Sequence, residues 1–208
     1  MPKSLLINLP SLELEGILRL PHQSQGLVIF SHGAGSSRLS PRNNYVAQVL
    51  EKGGIASLLF DLLTPEEDLV YETRFNISLL TERLIAATEW CLQQKEFKKL
   101  NFGYFGASTG AASALDAAAK KEFDIKAVVS RGGRPDLATL LKKVDSPTLL
   151  LVGELDEDVI ELNKSAYQQL AAKDKKLEII AGAGHLFEEE ETLAKVAKLA
   201  KNWFKKYL

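Results

Sequence analysis

The sequence predicts an α/β protein: a mostly parallel eight-stranded sheet with helices on both faces and an antiparallel pair of strands at its amino-terminal edge. Three observations carry this. Short apolar, β-branched runs alternate with longer segments of helical periodicity, the pattern of strands joined by helical crossovers. The first two runs follow each other across Pro10 with no helix between them, so they should pair antiparallel. Length and composition suit one layered core, because 208 residues of which 46% are hydrophobic fall within the usual one-domain range.

Taken in order, residues 4–8 and 12–20 make the edge pair. Residues 26–31, GLVIFS, are almost wholly apolar, as a central strand buried on both faces requires. Ser40 then supplies a capping hydroxyl before Pro41 at the first helical position, which opens a helix over 41–51 that Gly53 and Gly54 close. A strand at 55–60 leads into an acidic loop at 64–72 and a long helix at 75–94. Further strands are expected at 101–104, 126–130, 147–152 and 177–180, with helices at 108–121, 136–142, 159–172 and 189–207. No repeat, low-complexity tract or linker breaks the series, so residues 1–208 are expected to form a single domain without a separate lid domain.

Charge narrows the partners. The two signs nearly cancel, leaving a net charge of -1, so no basic field exists to hold a nucleic-acid backbone or an anionic membrane, and neither is expected as a partner. The one cysteine, Cys91, cannot form an internal disulfide and asks for no oxidising compartment. The amino-terminal apolar run is interrupted by Asn8 and Pro10, too short for a signal-peptide core, and no stretch reaches the roughly 18 apolar residues of a membrane helix. A cytoplasmic location is the expectation.

Open α/β sheets bind ligands outside the carboxyl ends of their strands, which directs attention to the loops at 32–41, 106–110, 153–158 and 181–187. Gly106-Ala107-Ser108-Thr109-Gly110 is a G-x-S-x-G motif directly after a strand and before a helix of small residues. That context suits a nucleophile elbow, a strained turn whose glycines relieve crowding around an exposed serine. A plain tight turn is the competing reading. Serine needs a base, and the chain offers three histidines. His22 lies in a polar turn before a strand, and His32 opens a glycine-rich loop with another job. His185, in the AGAGHLF loop after the last strand, is the expected base.

An acid must orient that base, and Asp156 in LLLVGELD follows an apolar strand, giving the chain order Ser, Asp, His. Glu154 and Asp158 compete closely and Asp136 more weakly, and any of these carboxylates could instead cap the following helix. The loop His32-Gly33-Ala34-Gly35 follows the central strand, where one oxyanion donor is expected. Ala34 is the expected first donor, with Gly33 and Gly35 as alternatives, and Thr109, next after the nucleophile, is the second. Read as a phosphate cradle, the loop lacks the Gly-Lys-[Ser/Thr] ending of a P-loop and the third glycine of a dinucleotide fingerprint.

With these motifs assembled, the chain resembles the dienelactone hydrolase-related branch of the α/β-hydrolase superfamily. HGAGSSRLSPRN, LLFDLLTPEE, FGASTGAA, VVSRGGRPDL, LLLVGELD and GAGHLFEEEETL carry the likeness along nearly the whole length. The resemblance implies an α/β-hydrolase fold, a triad of Ser108, Asp156 and His185, and no metal or organic cofactor. Dienelactone hydrolases proper use a cysteine nucleophile, whereas the elbow here carries serine, which argues against dienelactone itself as substrate. The expected activity is that of a serine hydrolase of the carboxylic-ester type, acting on a small ester or lactone-like molecule through an acyl-enzyme. The alternative is a non-catalytic protein of the same fold that binds a small ligand or partner. Arg131 and Arg134, after a neighbouring strand, and His32 are the candidate substrate contacts; an arginine there suits an anionic substrate tail, unless Asp61 or Asp136 pairs with it.

Overall fold

The computed structural model describes residues 2–208. Strands β1 (Lys3–Leu9), β2 (Leu12–Arg19) and β3 (Gly26–Ser31) precede helix α1 (Pro41–Lys52) and strand β4 (Ala56–Phe60). Helices α2 (Pro65–Asp68) and α3 (Ile77–Gln93), strand β5 (Asn101–Ala107) and helix α4 (Thr109–Lys120) follow. Strands β6 (Ile125–Arg131) and β7 (Thr148–Gly153), helix α5 (Glu157–Gln169), strand β8 (Lys175–Ile180) and helix α6 (Thr192–Tyr207) complete the order. One eight-stranded sheet runs β1-β2-β4-β3-β5-β6-β7-β8. β1 with β2 and β2 with β4 are antiparallel, and every other neighbouring pair is parallel. The predicted fold class is the observed one.

Strand alternation explains the two cores. In β3, Leu27 and Ile29 face one side with Leu84, Ala87 and Leu115 of α3 and α4, while Val28 and Phe30 face the other with Val46 and Leu50 of α1 and Phe204 of α6. The alanine-rich face of α4, fully buried from Thr109 to Ala119, lets that helix lie close against the strands. Between β3 and β5 the order of strands reverses, so a crevice opens at their carboxyl ends where His32 and Ser108 emerge.

Two expectations need correction. Residues 136–142 are not a helix but two short 3₁₀ turns, Pro135–Leu137 and Leu141–Lys143. The cause is Asp116 of α4, whose buried carboxylate accepts from the backbone amides of Thr139 and Leu140 and from the Thr139 hydroxyl, replacing the carbonyls a helix would have offered. The acidic loop at 64–72 contains a helical turn, α2, because Thr64 and Glu67 cap each other's backbone amides reciprocally. Among the described residues no helix is long and apolar enough to cross a membrane.

Candidate active site

Ser108 sits at φ 50, ψ -123, between β5 and α4. That is the mirror image of an ordinary extended conformation, costing a non-glycine residue about 1–3 kcal/mol. It persists because the surroundings hold it: Ser108 donates its amide to the Arg131 carbonyl (3.1 Å), and its own carbonyl accepts from Arg134 N–H (3.0 Å). Ala107 and Arg131 are register partners in the sheet. The turn after β6 therefore grips the serine from one side, while Gly33 packs on the other, where an added Cβ would lie 3.0 Å from Ser108 Cβ.

His185 stands on the far side of the same turn. An added Cβ on Gly132 would lie 3.6 Å from its Cε1, so the imidazole and the elbow flank one short segment. Its Nδ1 bonds Asp156 Oδ2 at 2.6 Å. A carboxylate only accepts, so Nδ1 carries a proton, and in the neutral imidazole Nε2 is the nitrogen that keeps its lone pair. Asp156 occupies the N-cap position of α5, yet its side chain makes no cap hydrogen bond; it is turned to the histidine instead. Glu154, the nearest competitor, accepts from Gly182 N–H (2.8 Å) and so fastens the turn before His185. Among the described residues Ser108 Oγ makes no hydrogen bond to His185, whose ring bond is to Asp156.

The two expected oxyanion donors are adjacent. Ala34 N–H donates to Thr109 Oγ1 at 2.8 Å, so the first donor is engaged by the side chain of the second. Thr109's amide is at the first position of α4, among the amino-terminal N–H groups that helix bonding leaves unpaired and that favour negative charge.

Two of the three candidate substrate contacts are otherwise occupied. His32 is 7% exposed; its Nδ1 donates to the Gly33 carbonyl (2.9 Å) and its Nε2 accepts from Leu62 N–H (3.1 Å). It staples the loop after β3 to the loop after β4. Arg134 makes a two-bond fork with Asp136 (2.8 and 2.7 Å) at the surface. Arg131 differs: it is buried, and among the described residues its Nη1 has no partner.

Burial pushes the pKa of His32 below the ordinary 6.5, opposed by its bond to the Gly33 carbonyl and by Asp61 and Asp68. The folded protein thus holds it neutral, whereas the unfolded chain takes up a proton near pH 6.5. Stability from this group is complete above that pH and declines as pH falls below it, by at most about 1.4 kcal/mol per pH unit. Urea unfolding between pH 7.5 and 5.5 should show this decline in the parent and a shallower one in His32→Gln. Equal slopes would exclude His32 as the cause.

Supporting residues escaped the sequence. Asn163 in α5 donates to the Gly133 carbonyl (2.9 Å) and so supports the turn that grips Ser108. Its one signal was a polar side chain in the apolar stripe of Val159 and Ala166. The acidic run 188–191, which reads as a solvated helix start, has specific contacts: Glu188 pairs with Arg42 (2.7 Å), and Glu189 accepts from Gly184 N–H (2.9 Å), bracing the histidine loop. Cys91 is in the core against α3's neighbours, where burial pushes its thiol pKa upward, so it is no rival nucleophile.

Comparison with known proteins agrees with this architecture. Residues 21–208 match the profile of the dienelactone hydrolase family. A dienelactone hydrolase of known crystal structure from Anabaena variabilis is 47% identical, with a TM-score of 0.96 over 100% of this chain and 98% of that one. Est1E from Butyrivibrio proteoclasticus, 18% identical with a TM-score of 0.82 over 98% of each chain, shares the fold. Two Mycobacterium tuberculosis proteins, provisionally named phosphoribosyl transferases, are 53% identical over 190 residues. That match spans 91% of this chain but only 43% of theirs.

Proposed function

Because the chain belongs to the dienelactone hydrolase family, we propose that it is a serine hydrolase of the carboxylic-ester type, with Ser108 as nucleophile, His185 as base and Asp156 as the acid orienting that base. The observation that carries the reading is the 2.6 Å bond from His185 Nδ1 to Asp156 Oδ2, made beside the turn that grips the strained Ser108. It leaves Nε2 free to accept the Ser108 proton as Oγ attacks an ester carbonyl. The imidazolium so formed is stabilised by Asp156 and returns the proton to the leaving alkoxide. Thr109 N–H, with Ala34 N–H once Thr109 Oγ1 yields it, holds the oxyanion. Water, deprotonated by the same imidazole, then releases the acid from the acyl-enzyme. The transferase name of the longer relatives belongs to proteins of which this chain matches less than half, and it is not carried over.

Labelling with a fluorophosphonate, followed by peptide mass mapping, tests the nucleophile: the label should reside on Ser108, and a folded protein that stays unlabelled would favour a non-catalytic binder. A p-nitrophenyl ester series then tests the acid. Asp156→Asn keeps the shape but donates where the imidazole needs an acceptor, so kcat should fall about 10⁴-fold. Since Asp156 does not cap α5, its melting temperature should change little. A large loss of stability with small loss of activity would assign Asp156 to the helix instead.

A further inference from the structure

The Thr109 hydroxyl has a proton that no group in the fold takes up. The residue is 3% exposed, at the first position of α4. Its Oγ1 accepts from Ala34 N–H at 2.8 Å, and among the described residues that is its only hydrogen bond. Other helical hydroxyls donate to a carbonyl about one turn back: Thr81 to Ile77 (2.7 Å), Thr88 to Leu84 (2.8 Å) and Ser113 to Gly110 (3.0 Å). Thr109 has no such carbonyl, because the residue one turn earlier, Phe105, belongs to β5. A buried hydroxyl that accepts but does not donate leaves part of its bonding capacity unmet, which favours an acceptor that arrives from outside.

That hydroxyl is in the right place for one. Covalent geometry keeps Oγ1 beside the Thr109 nitrogen, and the bond to Ala34 puts it beside the other amide. An oxygen of the protein thus lies between the two N–H groups assigned to the oxyanion. The frame around them is close-packed: Gly110 starts α4 against the carbonyls of Ser31 and His32, and Gly33 packs on Ser108.

We infer that the Thr109 hydroxyl is a third donor of the oxyanion hole, an inference that deepens the hydrolase reading and rests on it. In the free protein Oγ1 holds the Ala34 amide. As the ester carbonyl becomes an alkoxide, the hydroxyl gives that amide up and turns its own proton to the same oxygen. The three lone pairs of the alkoxide then meet Thr109 N–H, Ala34 N–H and Thr109 Oγ–H. No proton is transferred in this exchange, since Oγ1 keeps its hydrogen throughout. Bonds to a charged oxygen are roughly twice as strong as neutral ones, so the alkoxide repays the broken Ala34 bond where a neutral carbonyl does not. The hydroxyl therefore acts on the transition state and not on substrate binding.

Thr109→Val keeps the branched shape and removes the hydroxyl, whereas Thr109→Ser keeps the hydroxyl and removes a methyl group. With p-nitrophenyl butyrate, kcat should fall about 100- to 1000-fold in Thr109→Val at nearly constant KM, and stay within about tenfold of the parent in Thr109→Ser. An alkyl trifluoromethyl ketone, which adds to Ser108 as a tetrahedral oxyanion, should lose affinity for Thr109→Val by about the factor lost in kcat/KM. A merely structural role would lower the melting temperature or raise KM and leave that parallel absent. Should Thr109→Val not fold, Thr109→Ala removes the same hydroxyl without a new branch and should show the same loss. A folded variant without the hydroxyl that is as active as the parent, or more so, overturns the inference, because the side chain would then only cover the Ala34 amide. An equal loss in Thr109→Ser overturns it too. Both results leave the hydrolase reading standing as long as Ser108 takes the fluorophosphonate; an unlabelled Ser108 sinks that reading and the role of Thr109 with it.

Discussion

Replacing Ser108 with glycine is expected to abolish ester hydrolysis and, in the same protein, to raise the melting temperature. Loss of the attacking hydroxyl from a unit that acts together should lower kcat by about 10⁴- to 10⁶-fold. Stability moves the opposite way because the φ 50, ψ -123 geometry that strains serine is, for glycine, simply the mirror of an extended conformation. Relief of about 1–3 kcal/mol is partly offset by the greater freedom of glycine in the unfolded chain, about 0.4–1 kcal/mol. A gain of a few degrees is expected for a chain of this length, at about 2–4 °C per kcal/mol. Calorimetry beside an ester assay checks both. A variant that melts lower than the parent would show that the serine side chain stabilises its own turn.

Gly110→Ala should damage both properties at once. An added Cβ there would lie 2.2 Å from the Ser31 carbonyl oxygen and 2.5 Å from that of His32, both backbone atoms of the central strand's end. Neither can retreat without moving β3 or α4. The expected loss is about 3 kcal/mol or more, seen as a melting temperature lower by roughly 6–12 °C. Activity should fall at least about 100-fold, because a shift of α4 moves Ser108 and Thr109 relative to the base. Gly54→Ala is the control: Gly54 has φ +80 but nothing within 4 Å of an added Cβ, so its cost is the backbone term alone, about 1 kcal/mol. If Gly110→Ala cost no more than Gly54→Ala, close packing of the elbow on β3 would not be what the glycine serves.

The elbow was legible because its requirements are local. Gly106, Ser108 and Gly110 lie within five residues, and the crowding that selects glycine at Gly106 arises at the strand-to-helix joint itself, where an added Cβ would lie 2.4 Å from Ala111 Cα and 2.6 Å from the Gly110 carbonyl oxygen. Strand order at the amino-terminal edge was legible for a like reason, since two runs joined across Pro10 have no length for a crossover. Element ends were less so. Nothing near residues 136–142 reveals that Asp116, more than twenty residues earlier, withdraws two amides from a helix.

By itself the sequence determined the layered architecture, the turn that strains Ser108, and the loops at the carboxyl ends of the strands, because periodicity and steric need act over a few neighbours. Tertiary structure alone decided which of Glu154, Asp156 and Asp158 meets His185, that His32 and Arg134 are spent on nearby partners, and that Arg131 Nη1 has none among the described residues. Those outcomes depend on which charges and dipoles share a low-dielectric space, and that is set by distance through the fold rather than by spacing along the chain.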